Sequence, residues 1–137
     1  MYDNENIFAK ILKGDIPSHR IYEDDTTYAF LDVMPRSDGH TLVIPKAHAT
    51  GLLDASPDAI ANCMATIQKL APKIIEAMGA DGFLIQQFNG EAAGQTVFHL
   101  HFHIVPRKHG QSLRPHAGEM AAPETLASHA QIIRAAL

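Results

Sequence analysis

Three histidines, His99, His101 and His103, occupy every second position of an otherwise apolar segment. A β-strand over 97–105 would place all three imidazoles on one face and apolar side chains on the other, because side chains alternate along a strand. Histidine offers a sheet no packing advantage over β-branched residues, and a solvent-facing strand would accept threonine, lysine or glutamate equally well. We therefore predict a strand here whose histidine face performs chemistry.

Two kinds of chemistry fit this spacing. Neighbouring histidines about 6.5–7 Å apart can share a metal ion, but three on a straight strand span about 13 Å, so His40 or His48 would have to complete the site. Alternatively, a neutral imidazole acts as a nucleophile without a metal, assisted by its neighbours. The loop that precedes the strand contains Gln95 and Thr96, which can donate hydrogen bonds to phosphoryl oxygens. We favour the second reading, with no metal and no cofactor, and keep the first as its alternative.

Composition limits the class of protein. The 137 residues and 46% hydrophobic content suit one globular domain, 1–137. A net charge of −4 argues against binding a nucleic-acid polymer, although 107–116 is a local cationic stretch that we interpret as a solvated loop. A single cysteine, Cys63, allows no intramolecular disulfide, and no apolar run is long enough to cross a membrane. We expect a cytoplasmic protein without a membrane partner.

Periodicity and end signals predict an α+β domain with a mainly antiparallel five-stranded sheet and helices against one face. The predicted helices are a short one over 6–13, a long one from Pro57 to about Met78 and a C-terminal one over 123–137; the predicted strands are 20–23, 27–31, 41–44, 82–88 and 97–105. Pro72 lies within the long helix, where we expect a kink. The polar stretch 89–95 is predicted to be a loop.

The segment 99–105 resembles the signature of the histidine triad family, in which three histidines alternate with apolar residues and two more apolar residues follow. Other stretches resemble the Hint-like branch of that family in order and spacing: 7–11, 16–17, 23–25, 30–32, 39–46 and the loop 89–96. The resemblance covers a core of about 5–106, and 107–137 is an extension. It implies a histidine-triad-like fold and a homodimer.

The resemblance also implies a nucleotide hydrolase or transferase that releases a nucleoside monophosphate from its leaving group. By position, His101 is the nucleophile that forms a nucleotidyl-histidine intermediate. His103 contacts the phosphate and assists the leaving group, His99 orients the nucleophile, and His40 supports this network from a neighbouring strand. The substrate is then a purine nucleotide similar to AMP.

The same resemblance assigns substrate-binding residues. Gln95 and Thr96 are expected to bind phosphate oxygens, Asn89 to hold the nucleotide and Asp32 to accept hydrogen bonds from the ribose hydroxyls. The expected base pocket consists of Phe8, Ile11, Phe30 and Val33.

Zinc-binding bacterial relatives carry a Cys-x-x-Cys pair where this chain has Asn6 and Ala9. Because thiolates are the strong ligands of such a site, we expect zinc binding to be lost there, and we assign no metal role to His48.

These observations lead to one favoured function and three alternatives. The favoured function is hydrolysis of nucleoside phosphoramidates or related adenylylated compounds through His101. The nearest alternative is a dinucleoside polyphosphate hydrolase, acting for example on diadenosine tetraphosphate. The others are a metal-dependent hydrolase that uses two of the strand histidines, and a nucleotide-binding module without catalysis.

Overall fold

The computed structural model describes residues 1–137, and its centre is a five-stranded antiparallel sheet. The strands are β1 (Arg20–Glu23), β2 (Thr27–Leu31), β3 (Thr41–Pro45), β4 (Gly82–Gln86) and β5 (Phe102–Arg107). Their order across the sheet is β1-β2-β3-β5-β4, so β5 lies between β3 and the edge strand β4. The predicted α+β class and five-stranded antiparallel sheet are confirmed.

The residues on either side of the first helix, α1 (Ile7–Lys13), cap its two ends. The side chain of Asn6 accepts a hydrogen bond from the amide of Ala9 at 2.9 Å, which satisfies one of the free amides of the first turn. Gly14 ends the helix in the left-handed conformation, with φ of 82°. Asn6 is therefore the cap of this helix and not its first residue.

The long helix α2 (Pro57–Met78) packs its apolar face on the sheet. Ser56 caps its first turn, Pro57 occupies its first position, and Gly79 ends it with a φ of 63°. Buried residues recur every three or four positions: Cys63, Thr66, Ile67, Leu70, Ala71 and Ile74. Each large aliphatic side chain buried in this way stabilises the fold by about 1.5–3 kcal/mol. The helix continues through Pro72 to its predicted end.

The C-terminal helix α3 (Pro123–Ala136) completes the main core. Its buried residues Leu126, Ala130 and Ile133 join the cluster formed by α2 and the sheet. None of the helices combines the length and apolar content needed to span a membrane. A smaller cluster of Phe8, Phe30, Leu42 and Ile44 lies beneath α1, separate from the main core.

The strand prediction for 97–105 was wrong at its start, because β5 begins at Phe102. Pairing with β3 ends where Val43 faces Phe102, and the next positions of β3 lead to Pro45, which has no amide hydrogen to donate. The amide of Leu100 instead donates to the carbonyl of Ala49 at 2.8 Å. His103 therefore lies in the sheet, whereas His99 and His101 lie in the irregular segment before it.

Other boundaries differ by one or two residues. The strand predicted over 82–88 ends at Gln86, and β3 includes Pro45. The predicted loop 89–95 contains one short 3₁₀ helix, Glu91–Ala93, which ends at Gly94 with φ of 101°.

Candidate active site

His101 is held in one tautomer by the backbone two residues before it. Its Nδ1 lies 2.7 Å from the carbonyl oxygen of His99, and because a carbonyl oxygen only accepts, Nδ1 carries the hydrogen. The lone pair of the neutral ring is then on Nε2, which forms no hydrogen bond within the protein. The ring of Phe8 meets the imidazole edge to face with a centroid separation of 4.9 Å. Nε2 therefore presents a free lone pair.

His103 is the last member of a directed chain of hydrogen bonds. The amide of Arg36 donates to His40 Nδ1 at 3.0 Å, so the hydrogen of neutral His40 is on Nε2. That nitrogen lies 2.9 Å from His103 Nδ1, which must accept. The hydrogen of neutral His103 is therefore on Nε2, a buried atom without a partner in the protein. A buried unpaired donor is costly unless a ligand accepts from it.

His99 is also fixed at both ring nitrogens. Its Nε2 lies 2.8 Å from the carbonyl oxygen of Pro45 and donates to it. Its Nδ1 accepts from the hydroxyl of Tyr2 at 2.5 Å. The Tyr2 ring stacks on exposed His48 with centroids 4.5 Å apart. Tyr2 therefore holds His99, whose carbonyl in turn holds the His101 ring.

The loop between β2 and β3 delivers His40 and Asp32 to this network. It turns at Gly39, whose φ is 86° and where a Cβ atom would lie only 2.5 Å from Met78 Cγ. Glycine is required there both for the backbone angle and for the close approach of α2. The amide of Asp32 bonds to the carbonyl of His40 at 2.9 Å, which brings the two residues to the mouth of the loop.

One group of side chains could hold a metal ion. Ligand atoms of Asp32, His40 and His103 all lie within 4.8 Å of one another, and two imidazoles with one carboxylate form a usual donor set for divalent cations. A metal would have to displace the proton that His40 shares with His103. The alternative metal site predicted from two strand histidines receives only His103, since His99 and His101 contribute no atom to this group.

The positions related to a Cys-x-x-Cys zinc site do not fit that metal. The Asn6 side chain is committed to capping α1, and Ala9 has no ligand atom. His48 lies against Tyr2 instead of facing a set of ligands.

A cleft of about 220 Å³ opens above His101 and His103. It brings together eight of the predicted site residues: Phe8, Ile11, Phe30, Asp32, Val33, Thr96, His101 and His103. The rings of Phe8 and Phe30 meet edge to face at 5.3 Å and form an apolar wall. His40 and His99 stand behind the cleft and act through their neighbours.

Asn89 and Gln95 do not line the cleft. Asn89 is exposed and bonds the amide of Leu52 and the side chain of Gln87. Gln95 is buried, and its side chain bonds three backbone groups of the surrounding loops. In this structure both residues brace the loop before the histidines.

Three residues of the site were not assigned a role from the sequence. Tyr2 and Arg36 belong to no periodic pattern, and their contacts with His99 and His40 are long-range or backbone-mediated. His116 belongs to the cationic stretch 107–116, which was interpreted as a solvated loop, yet it lines the cleft. The one sequence feature that could have pointed to His116 is the cluster of basic residues in 107–116, which contains no acidic residue.

Burial makes the histidines of the site poor bases. It lowers the pKa of His40 to about 3, of His99 to about 4 and of His103 to about 2, and neighbouring positive groups add to the effect. Burial also lowers the pKa of His101, against the opposing bond to the His99 carbonyl. The rings are therefore neutral near pH 7, as the hydrogen-bond directions require.

Stability should fall steeply in mild acid. In the unfolded chain these histidines regain a pKa of about 6.5, so below that pH the unfolded chain binds more protons than the fold. Each histidine then removes about 1.4 kcal/mol of unfolding free energy per pH unit until its folded pKa is reached. Burial raises the pKa of Asp32, and this has the opposite effect on the unfolding free energy. The effect appears only at the lower pH at which carboxyl groups take up a proton.

We expect urea unfolding to give a free energy at least about 2 kcal/mol lower at pH 5.5 than at pH 7.5. His109→Asn, which changes an exposed histidine outside the cleft, should keep the same pH dependence. Equal unfolding free energies at the two pH values would contradict the neutral, buried cluster.

Replacing Tyr2 by phenylalanine should destabilise the fold by about 1–3 kcal/mol at pH 7.5, because buried His99 Nδ1 loses its only donor. The control is Tyr28→Phe, which removes a hydroxyl bonded to partly exposed Ser18 at 2.6 Å and lets water replace it. Urea midpoints of both variants provide the measurement. A loss in Tyr2→Phe no larger than in Tyr28→Phe would show that the bond to His99 is dispensable.

Comparison with known proteins shows the family. The HIT domain family matches residues 13–110. Adenylylsulfatase HINT3 of Arabidopsis thaliana is 39% identical over 120 residues, 83% of this chain and 61% of that protein. Adenosine 5'-monophosphoramidase HNT1 of Saccharomyces cerevisiae is 40% identical over 106 residues, 77% of this chain and 65% of that protein. The chain thus matches less than two thirds of the length of these two relatives.

Solved structures are similar over nearly the whole chain. A HIT-like protein involved in cell-cycle regulation from Bartonella henselae is 47% identical, with a TM-score of 0.93 and 100% of both chains covered. A Zn-bound histidine triad family protein from Mycobacterium smegmatis is 40% identical, with a TM-score of 0.86 and coverage of 96% of this chain and 92% of that one. The family predicted from the 99–105 signature is confirmed: this chain belongs to the HIT domain family, on its Hint-like branch.

Proposed function

We propose that this protein hydrolyses nucleotides in which a nucleoside monophosphate is joined to an amine or a similar leaving group, through a nucleotidyl-His101 intermediate. The observation that carries the proposal is the pairing of two complementary nitrogens in one cleft. His101 Nε2 has a free lone pair, and buried His103 Nε2 has an unpaired hydrogen. A phosphoryl group accepts an electron pair at phosphorus and hydrogen bonds at its oxygens, so it suits both nitrogens at once.

The cleft supports a purine nucleotide. The apolar wall that includes Phe8, Phe30 and Ile11 suits the faces of a base, and Val33 lies at its rim with 37% of its surface exposed. Asp32 lines the same cleft, with Oδ2 3.6 Å from His40 Nε2, and its carboxylate can accept from both hydroxyls of a ribose. In this arrangement the phosphate follows the ribose toward His101.

The proposed reaction uses each hydrogen bond of the network. The lone pair of His101 Nε2 forms a bond to phosphorus while the bond to the leaving group breaks and its electron pair departs with that group. An amine leaving group takes up a proton from solvent water as it departs. The resulting positive charge on the ring is stabilised by the Nδ1–H bond to the His99 carbonyl. His103 Nε2–H donates to a phosphoryl oxygen or to the departing atom. Water then attacks phosphorus, releases the nucleoside monophosphate and restores His101.

Similar proteins support this reaction class. They include the adenylylsulfatase HINT3 of Arabidopsis thaliana and the adenosine 5'-monophosphoramidases of Saccharomyces cerevisiae and Schizosaccharomyces pombe. A higher kcat/KM on diadenosine tetraphosphate than on an adenosine phosphoramidate would favour the dinucleoside polyphosphate alternative. Activity that EDTA abolishes and a divalent metal restores would favour a metal-dependent hydrolase built on Asp32, His40 and His103.

The intermediate can be observed directly. Brief mixing with an adenosine phosphoramidate should add one adenylyl group to the protein, seen by intact-protein mass spectrometry, and His103→Ala should prolong its lifetime. His101→Ala should give no adduct and lower kcat by about 10³-fold or more. His109→Ala, at an exposed position outside the cleft, should behave like the unchanged protein.

Two outcomes would contradict the proposed mechanism. Steady turnover that survives His101→Ala would exclude the histidine nucleophile. Tight binding of AMP without turnover of any adenylylated compound would indicate a binding module.

We also propose that the chain forms a homodimer through the edge strand β4. Its alternate residues Phe83 and Ile85 share a face and are 40% and 43% exposed, although both are large and apolar. Unpaired edge strands with apolar side chains favour association with another strand. A second copy of the chain would cover this surface.

Replacing Ile85 by aspartate should therefore convert the dimer to a monomer in light scattering coupled to size-exclusion chromatography. The control is Leu53→Asp, since Leu53 is 95% exposed in the loop between β3 and α2. It should leave the dimer intact. A monomeric unchanged protein, or a dimer that persists in Ile85→Asp, would contradict the proposed interface.

A further inference from the structure

The hydroxyl groups of Ser18 and Tyr28 form a hydrogen-bonded pair that the proposed reaction does not use. Their oxygen atoms lie 2.6 Å apart, and neither hydroxyl has another hydrogen-bond partner within the protein. Two hydroxyls carry two hydrogens, but only one hydrogen can lie between the two oxygens. The pair therefore always keeps one hydrogen, and lone pairs on its oxygens, for a ligand or for water.

The fold places this pair against the apolar wall of the cleft. Tyr28 and Phe30 are alternate residues of β2, so their side chains share one face of the sheet, and their ring centroids are 5.7 Å apart. The Tyr28 ring also packs on the smaller apolar cluster beneath α1. Ser18 reaches the Tyr28 hydroxyl from the segment between α1 and β1. The pair thus adds hydroxyl groups to a wall that is otherwise suited to the faces of a base.

Ser18 lies at the boundary between the cleft and an open groove outside it. Both hollows are lined by Ile11, Ile16, Pro17 and Ser18, whereas Tyr28 lines only the groove. Among the residues that α1 and the segment after it contribute to the cleft, Ser18 is the only polar one. Ser18 and Tyr28 are half-buried, so water can reach the pair when no ligand is bound. The apolar end of the cleft therefore meets solvent at a hydroxyl group.

A purine nucleotide bound as proposed would turn one edge of its base toward this end of the cleft. Its phosphate lies at His101, its ribose at Asp32, and its base on the apolar wall. The base edge farthest from the ribose is the Watson–Crick edge. Proteins that bind a single base read this edge by hydrogen bonds while apolar or aromatic side chains cover the faces of the ring. Ser18 is the side chain of the apolar end that can make such a bond.

We propose that Ser18, supported by Tyr28, binds the Watson–Crick edge of a purine base and thereby determines base preference. This inference rests on the proposed function and names the way in which its base is recognised. When Tyr28 donates to Ser18, the Ser18 hydroxyl donates to an acceptor such as O6 of guanine. When Ser18 donates to Tyr28, the Ser18 oxygen accepts from the amino group of adenine. The pair can reverse its direction, so it serves both purines, whereas the single ring of a pyrimidine is too short to reach it.

The test measures the binding of nucleoside monophosphates by isothermal titration calorimetry. We would determine Kd of AMP, GMP and CMP for the unchanged protein and for Ser18→Ala, which removes the hydroxyl. We expect Ser18→Ala to weaken binding of AMP and GMP by about three- to tenfold and binding of CMP by less than about twofold. Ser18→Thr keeps a hydroxyl and should retain most of the affinity for both purines. The control is Ser112→Ala, at an exposed serine outside the cleft, which should behave like the unchanged protein.

These measurements separate the role of Ser18 from the proposed function, because a nucleoside monophosphate binds without being hydrolysed. The expected losses in a protein that turns over no adenylylated compound would overturn only the proposed function. Purine affinities that Ser18→Ala leaves unchanged, or an equal loss for CMP, would overturn the role of Ser18 while leaving nucleotide hydrolysis in place. A loss in Ser18→Thr as large as in Ser18→Ala would also overturn it, since the hydroxyl would then not be the group that binds the base.

Discussion

The hydrogen bond from His101 Nδ1 to the His99 carbonyl is the interaction on which the site depends. It requires both residues to lie outside the sheet, before β5 begins at Phe102, because a carbonyl engaged in a ladder would point to the neighbouring strand. Pro45 makes this departure possible, since β3 has no amide to offer at that position and its carbonyl accepts instead from the His99 ring. A local defect in strand pairing thus turns a row of histidines into a directed set of donors and acceptors.

Burial of the histidines has opposite effects on stability and on reactivity. Four imidazoles removed from water must remain neutral, and each therefore opposes folding in acid. The same neutrality leaves a lone pair on His101 and a hydrogen on His103 at neutral pH. Burial of apolar side chains such as Leu100, Ile104 and Ile133 in the main core stabilises the fold and offsets the cost of burying the histidines.

Local sequence signals were sufficient for most of the fold, and less so for the site. End signals such as Gly14 and Ser56 and the helical spacing of apolar residues located the helices to within one or two residues. The histidine face was recognised from its alternation, but alternation assumes a continuous strand and gave no sign of the break before Phe102. Contacts between distant residues, such as Tyr2 with His99, have no periodicity and depend on the assembled fold. The sequence predicted that Gln95 lies in a polar loop near the site. Only the structure shows that its side chain is used in hydrogen bonds to backbone groups of the surrounding loops.

The position of residues 114–121, which contribute His116 and Ala117 to the lining of the cleft, has a consequence for how such proteins diversify. This segment lies outside the residues 13–110 that match the HIT domain family, whereas the four histidines of the site lie within them. Two backbone hydrogen bonds and side-chain bonds of Arg114 and His116 tie this segment to the rest of the chain. Substitutions at the cleft-lining positions of the segment can change the shape of the cleft while the folding core and the histidine network stay intact. Substrate range and reaction type can therefore evolve separately in this fold.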